Sequence, residues 1–205
     1  MPPDSTPARA RATRPLTITE RARRAQLIGV TIEVVARYGH AGTSLARIAE
    51  AAGISKAAVL YHFPTKDAVV QAAYASVLES LTEYVGAAVD ARSGAAAVDA
   101  YVRSLVAYLR DHPAHTRMIV EGLGGATGSA DSADQAGRRE AVAGLVGAAK
   151  AAGEYRADVE PQITAVIING AVDAIVSESL ADPAFDTARA ADELVTMLDR
   201  ALAGK

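Results

Sequence analysis

Apolar residues recur at spacings of three and four along nearly the whole of this 205-residue chain, and this helical period limits its fold more than any other feature. Convincing strand alternation and long internal repeats are both missing from the sequence. Half of the residues are hydrophobic and only 4% are aromatic, which favours helices that pack closely through small side chains. The sequence therefore predicts an all-α protein with enough apolar residues for a substantial core.

Composition also limits the chemistry that the chain can perform. There is no cysteine, which excludes disulfides, thiolate metal sites and a thiol nucleophile. The first residues, "MPPDSTPARARATRP", lack the apolar core of a secretory signal, and no run of eighteen or more apolar residues is present. We therefore expect a soluble, cytoplasmic protein with no membrane partner.

Charge is divided unevenly along the chain. The net charge is -3, but residues 1–66 carry +6 and residues 67–205 carry -9. A basic first third predicts a part that binds a polyanion, joined to a body with a different task. Ordinary solvated surface charge is the alternative explanation.

Helix start and stop signals divide the first third into three helices. Candidate N-caps are Thr17, which forms a capping box with Glu20, then Thr43 or Ser44, and then Ser55. The corresponding stop signals are Gly39, Gly53 and Pro64. A long fourth helix, from about Lys66 to Asp90, then leads into further helices, interrupted by the glycine-rich loop "EGLGGATGSAD". These signals predict a flexible basic tail at 1–16, a three-helix domain at 17–66 and a helical body at 67–205.

The stretch "GISKAAVLYHFPTKDAV", residues 53–69, allows several interpretations. A phosphate loop needs several glycines after a strand, and this stretch has one glycine and no strand. His62 has no second metal ligand nearby. His112 and His115, beside Asp111, could share a metal or support an all-α enzyme, but no further ligands converge and helix-end histidines are the simpler interpretation. We therefore predict neither an enzyme nor a metal or cofactor site.

The helix, glycine turn and short helix of this stretch fit a helix-turn-helix better. Val59 and Phe63 lie four residues apart and can pack inward. The side chains predicted to face outward are Lys56, Ala57, Leu60 and Tyr61, with His62 at the edge. Such a helix can enter the major groove of DNA, whereas a plain helical hairpin is the alternative.

The segment "TSLARIAEAAGISKAAVLYHFPTKDAV" resembles the helix-turn-helix of the TetR family of bacterial transcriptional regulators. Weaker similarity lies in "DHPAH", "AAGEYRADVEP" and "INGAVDAIV". The resemblance implies a homodimer that binds a palindromic operator in double-stranded DNA, represses transcription and is released by an unknown small-molecule effector. A protein of the same fold whose body binds another protein remains an alternative, and activation is not separated from repression.

The resemblance also implies roles for individual residues. The residues expected to hold phosphates are Thr43 or Ser44, Tyr61, His62 and Lys66. Those expected to face base edges are Lys56, Ala57 and Leu60. Many members carry tyrosine at the Leu60 position and some carry a base-reading arginine at the Ala46 position, so base preference here is open. The tail arginines, Arg9, Arg11 and Arg14, either reach DNA or only aid solubility.

The last two helices are expected to form the dimer interface. The segment "ITAVIINGAVDAIVSESL" is too apolar for a helix that faces water, and the final helix carries an apolar stripe of Leu194, Val195, Leu198 and Leu202. Candidate effector-binding residues are Tyr84, Tyr101, Tyr108, Met118, Asn169 and Asp173. The alternative for each of these six is a satisfied core residue or, for Asn169 and Asp173, a hydrogen bond in the dimer interface.

Overall fold

The computed structural model describes the backbone of residues 17–124 and 130–204, and their side chains except at 122–134. Nine helices lie in these ranges: α1 Ile18–Gly42, α2 Leu45–Ala51, α3 Lys56–His62, α4 Lys66–Asp90, α5 Ala95–Asp111, α6 Pro113–Gly124, α7 Ala130–Ala151, α8 Pro161–Ala181 and α9 Thr187–Leu202. The only strand-like pairing there is a single bridge between Tyr155 and Ala203. The predicted all-α fold is confirmed. The tail with Arg9, Arg11 and Arg14 and the loop centre at 125–129 lie outside the described residues.

Local capping chemistry starts these helices where the sequence predicts. The Thr17 hydroxyl accepts from the Glu20 N–H at 3.2 Å, and the Glu20 carboxylate accepts from the Thr17 N–H at 2.7 Å, which completes the capping box of α1. Gly39 breaks α1 with φ of 70°, a conformation that glycine adopts without strain, and one further turn follows to Gly42. Ser44, rather than Thr43, caps α2 through the Arg47 N–H.

Three apolar clusters hold the helices together, and α4 contributes to all of them. The first joins α1, α2, α3 and the start of α4 around Leu27, Ile48, Val59, Phe63 and Val69. The second joins α1, α4 and α6 around Ile32, Val35, Ala73, Val77 and Met118. The third and largest joins the lower part of α4 to α5, α7, α8 and α9. Because α4 contributes to every cluster, it joins the N-terminal helices to the body by packing along its length.

The apolar stripe of α9 packs within its own chain, so its four side chains do not make the dimer contact predicted for them. Val195 and Leu198 are only 3% and 7% exposed, and Leu194 and Leu202 pack against the same cluster. An amphipathic stripe needs an apolar partner, and α5 supplies it here. On α9 the large apolar side chain that stays exposed is Met197.

By contrast, α8 leaves an apolar stripe uncovered. Its large exposed side chains include Ile163, Val166 and Ile167, and the stripe continues through the exposed Gly170 and Ala174. By length and composition alone this 21-residue helix could also cross a membrane, but a single such helix is weak evidence for that.

Candidate nucleic-acid interface

The α2–turn–α3 unit presents one face of a short helix to solvent. Gly53 makes the turn with φ of 66°, and Ser55 caps α3 by accepting from the Ala58 N–H at 3.1 Å. Val59 and Phe63 are buried as predicted, which fixes the orientation of α3. The exposed face then carries Lys56, Ala57, Leu60 and Tyr61, with His62 half-buried beside it.

Arg24 of α1 holds the C-terminal end of α3, a role that sequence reasoning missed. Its guanidinium donates to the His62 carbonyl and lies 4.0 Å from the centre of the Phe63 ring. A cation at the end of a helix satisfies a carbonyl that has no partner within the helix, and a stacked arginine adds a cation–π contact. Arg24 and His62 are 38 residues apart, so no local pattern predicts this contact.

Tyr61 is the most exposed aromatic residue of α3, at 73%. Its hydroxyl donates to Oε1 of Glu20 at 3.0 Å, and its ring meets the His62 ring edge-to-face with centroids 5.0 Å apart. The capping box of α1 therefore also orients the phenol of α3. This link across 41 residues was not predicted either.

Lys66 begins α4 beside the end of α1. Its ammonium donates to the His40 carbonyl at 3.2 Å, and Thr65 caps α4 through the Ala68 N–H at 3.0 Å. Lys66 is only half-buried, so the ammonium group keeps donors for a phosphate as well as for His40. The positive N-terminal end of α4 favours an anion at the same place.

Thr43 and Ser44, offered as alternatives, lie in different surroundings. Thr43 is 4% exposed, and its hydroxyl donates to the Gly39 carbonyl at 2.8 Å. Ser44 is exposed at the N-terminus of α2. Of this pair, only Ser44 can reach a phosphate without rearrangement.

Two arginines and a tyrosine cluster around α2 and the end of α1, a feature that sequence reasoning did not single out. Arg47 stacks over the Tyr38 ring at 4.3 Å and donates to the Gly42 carbonyl, while Arg37 lies 5.2 Å from the same ring. Two guanidinium groups thus flank an exposed tyrosine at the edge of the helix-turn-helix. Their charge extends the basic surface formed by Lys56 and Lys66.

Three of the six predicted effector residues meet around Arg138 of α7. The Tyr101 hydroxyl donates to the Asn169 side chain at 2.8 Å, and Arg138 donates to that hydroxyl, to the Asn169 carbonyl and to Asp173. Burial raises the pKa of Tyr101 and outweighs the opposing effect of Arg138. Sequence reasoning found the three partners but missed the arginine that joins them.

The other three predicted effector residues lie elsewhere. Tyr84 and Tyr108 pack with ring centroids 5.4 Å apart, and Tyr108 also stacks on His112 at 4.2 Å. Met118 is buried in the cluster between α1, α4 and α6. The six residues therefore do not converge on one site. A shallow groove of about 350 Å³ between α1, α6 and the end of α8 is lined by none of them.

His112 and His115 stack on each other with centroids 5.3 Å apart and ring planes 26° apart. His115 Nδ1 lies 2.7 Å from the Tyr108 hydroxyl, within hydrogen-bonding distance. Within the described part of the chain, no group of three or more His, Cys, Asp or Glu residues could hold a metal ion. The contact that the structure shows between the two rings is aromatic stacking.

This cluster predicts loss of stability in mild acid. Burial, and then the neighbouring His112, lower the pKa of His115 from 6.5, while Glu33 opposes them. His115 therefore takes up a proton at a higher pH in the unfolded chain than in the folded one. The free energy of unfolding is at its full value above about pH 6.5 and falls as the pH drops below it. We expect the melting temperature to fall more between pH 7.5 and pH 5.5 in the unmodified protein than in His115→Gln. An equal decrease in melting temperature in the two proteins would contradict this prediction.

The α2–turn–α3 unit has the geometry of a helix-turn-helix, and it is joined to an all-helical body. Residues 27–73 match the family model described as "Bacterial regulatory proteins, tetR family". The match lies in the segment whose motif resembles the TetR helix-turn-helix, so the family model supports that resemblance over this part of the chain.

Known proteins support the same assignment over part of the chain. It is 31% identical over 106 residues to the HTH-type transcriptional regulator RutR of Escherichia coli K12, covering 51% of this chain and 50% of RutR. It is 41% identical over 78 residues to the HTH-type transcriptional regulator BetI of Burkholderia thailandensis, covering 38% of this chain and 37% of BetI. The chain thus matches about half or less of the length of these relatives.

Solved structures share the fold over most of the chain. SmeT, the repressor of the Stenotrophomonas maltophilia multidrug efflux pump SmeDEF, aligns with a TM-score of 0.75 at 18% identity, covering 91% of this chain and 93% of SmeT. FadR from Bacillus subtilis in complex with stearoyl-CoA aligns with a TM-score of 0.75 at 15% identity, covering 85% and 96%. At these identities the likeness establishes the architecture alone.

Proposed function

We propose that the protein is a sequence-specific transcriptional regulator that binds a palindromic DNA operator through α3 and acts as a repressor in the cytoplasm, not as an enzyme. The observation that carries this proposal is the short α3, whose inner face is locked by Val59 and Phe63 and whose outer face is exposed and basic at its start. A single helix with this geometry fits the major groove. The relatives named as transcriptional regulators support it.

Within the proposed complex, contacts to phosphates and to bases come from different residues. The phosphate contacts are assigned to Ser44, Tyr61, His62 and Lys66. The base-facing residues are Lys56, Ala57 and Leu60. Hydroxyl and ammonium groups suit phosphate oxygens, whereas the methyl and isobutyl groups of Ala57 and Leu60 suit thymine methyls. Thr43 would join the phosphate set only if the end of α1 rearranged.

Two lysine variants test this division. Replacing Lys66→Ala should weaken binding to operator and random duplexes alike by about tenfold, and should lower the slope of log affinity against log salt by about 2 per dimer. Lys56→Ala should instead change which sequences are selected, because a base contact discriminates by about 1–3 kcal/mol. Selection from random DNA, followed by fluorescence anisotropy at several salt concentrations, measures both effects.

Wild-type protein that binds no selected sequence would rule out the proposed function. If the protein binds DNA but both variants behave as wild type, only the placement of α3 in the groove is wrong.

The functional unit is proposed to be a homodimer formed mainly through α8. Ile163, Val166 and Ile167 form an apolar stripe that the chain itself leaves exposed, and Met197 of α9 adds a further exposed apolar side chain. Packing two such stripes across a twofold axis buries apolar surface and sets two copies of α3 on one face of DNA. A palindromic operator matches that symmetry.

Control by a small-molecule effector is proposed for the helical body. The polar group of Arg138, Tyr101, Asn169 and Asp173 joins α5, α7 and α8, so a ligand that disturbs it would reach three helices at once. FadR of the same fold carries stearoyl-CoA in its solved complex. A ligand that favours the form with mis-spaced α3 helices would release DNA. A body that binds a protein instead would leave DNA affinity unchanged when a small-molecule panel is added to the anisotropy assay.

A further inference from the structure

The Tyr61 hydroxyl, assigned above to a DNA phosphate, already has an anionic acceptor within the protein. It donates to Oε1 of Glu20 at 3.0 Å, and the other oxygen of Glu20 accepts from the Thr17 N–H at 2.7 Å. Glu20 is therefore held by the helix cap on one side and holds the phenol on the other. Tyr61 is 73% exposed, so a phosphate can approach the same hydroxyl from solvent.

A phenol has one O–H, so it can donate to only one strong acceptor at a time. A DNA phosphate and the Glu20 carboxylate are both anions and both accept short, charge-assisted hydrogen bonds. They also repel each other when they approach the same hydroxyl. Donation to DNA therefore requires Tyr61 to exchange one anion for the other.

We propose that Glu20 is a positioning residue for DNA binding: its carboxylate holds the Tyr61 hydroxyl in the free protein and is exchanged for a backbone phosphate in the complex. The exchange lowers affinity for every sequence equally, because phosphates carry no base identity. Glu20 thus lowers the affinity for DNA of any sequence. In the free protein it also keeps the Tyr61 hydroxyl directed at an anion. The inference rests on the proposed function, since it needs a phosphate beside Tyr61.

Glutamine is the informative replacement at Glu20. It keeps the side-chain length and remains a good residue at this position of a capping box, but its carbonyl is a weaker acceptor and carries no charge. We expect Glu20→Gln to bind operator and random duplexes about threefold to tenfold more tightly, the scale of two exposed charge contacts per dimer. Tyr61→Phe, which removes only the hydroxyl, should weaken both.

The double variant separates exchange from simple charge removal. If the carboxylate acts through the Tyr61 hydroxyl, Glu20→Gln should tighten DNA binding only slightly when Tyr61 is already Phe. The effects of the two substitutions on affinity, measured by fluorescence anisotropy, would then not be additive. Glu83→Gln, on an exposed part of α4, removes the same charge away from the helix-turn-helix and should change affinity less than twofold. Thr17→Ala weakens the cap and keeps the carboxylate, so its melting temperature shows how much of any change is stability.

Equal tightening by Glu20→Gln in both backgrounds, or weaker binding by Glu20→Gln, would overturn the role of Glu20. If that happens while Lys66→Ala still weakens DNA binding, the proposed function stands and only this inference fails. A wild-type protein that binds no DNA would overturn both.

Discussion

We expect Ile167→Asp to leave a folded chain that runs as a monomer and binds the proposed operator about a hundredfold more weakly or worse. Ile167 is 60% exposed in the single chain and lies in the centre of the α8 stripe, between Ile163 and Gly170. A twofold interface repeats every substitution, so two carboxylates would be buried in one apolar contact. The monomer would keep one α3 and lose half of its phosphate contacts.

Light scattering after size-exclusion chromatography gives the mass, and far-UV circular dichroism checks that the helices remain. Val120→Asp is the matched control, because Val120 is also a β-branched, partly exposed residue but lies on α6. That variant should stay dimeric and bind DNA normally. A dimeric Ile167→Asp protein would exclude α8 as the centre of the interface.

Helix ends were predictable because capping is local chemistry. Ser55 caps the helix that follows, as the sequence indicated, and Thr65, Pro113 and Pro161 start helices by the same local chemistry. A hydroxyl just before an apolar run, or a proline in a first turn, acts within three or four residues. The same local patterns identified the exposed and buried faces of α3.

Contacts between distant residues could not be predicted in this way. Arg24 reaches the end of α3, and Arg138 reaches Tyr101 and α8, through side chains that the sequence places far apart. A surface arginine and a helix-capping arginine look alike in one sequence. Only the packing of the helices distinguishes them.

The α9 stripe illustrates a second limit. Leu198 and its neighbours show that a helix has an apolar face, but periodicity does not say whether the partner belongs to the same chain or to another copy. In the structure the apolar face of α9 packs in the chain's own core, whereas an apolar stripe of α8 stays exposed. The sequence of α8 is apolar on most of its surface and has no clear amphipathic pattern. Such a sequence is expected for a helix that is covered on two sides.

Phe63→Ala is expected to be the most damaging substitution for stability. Phe63 is 1% exposed and packs in the cluster that joins α1, α2, α3 and α4. Removing a buried phenylalanine side chain costs about 3–5 kcal/mol, through lost burial and the cavity left behind. The cation–π contact with Arg24 is lost as well, which weakens the packing of α1 against the end of α3.

The N-terminal helices should therefore unfold before the body, giving a lower first transition in calorimetry and loss of DNA binding at temperatures where the dimer persists. Phe63→Leu is the matched control, since it keeps an apolar side chain in the same cluster, and it should cost about 1–1.5 kcal/mol. The cluster that joins the lower part of α4 to α5, α7, α8 and α9 contains neither Phe63 nor Arg24, so its melting should change little in either variant. If both clusters melt together at one lowered temperature, α4 couples them so tightly that the N-terminal domain has no independent stability.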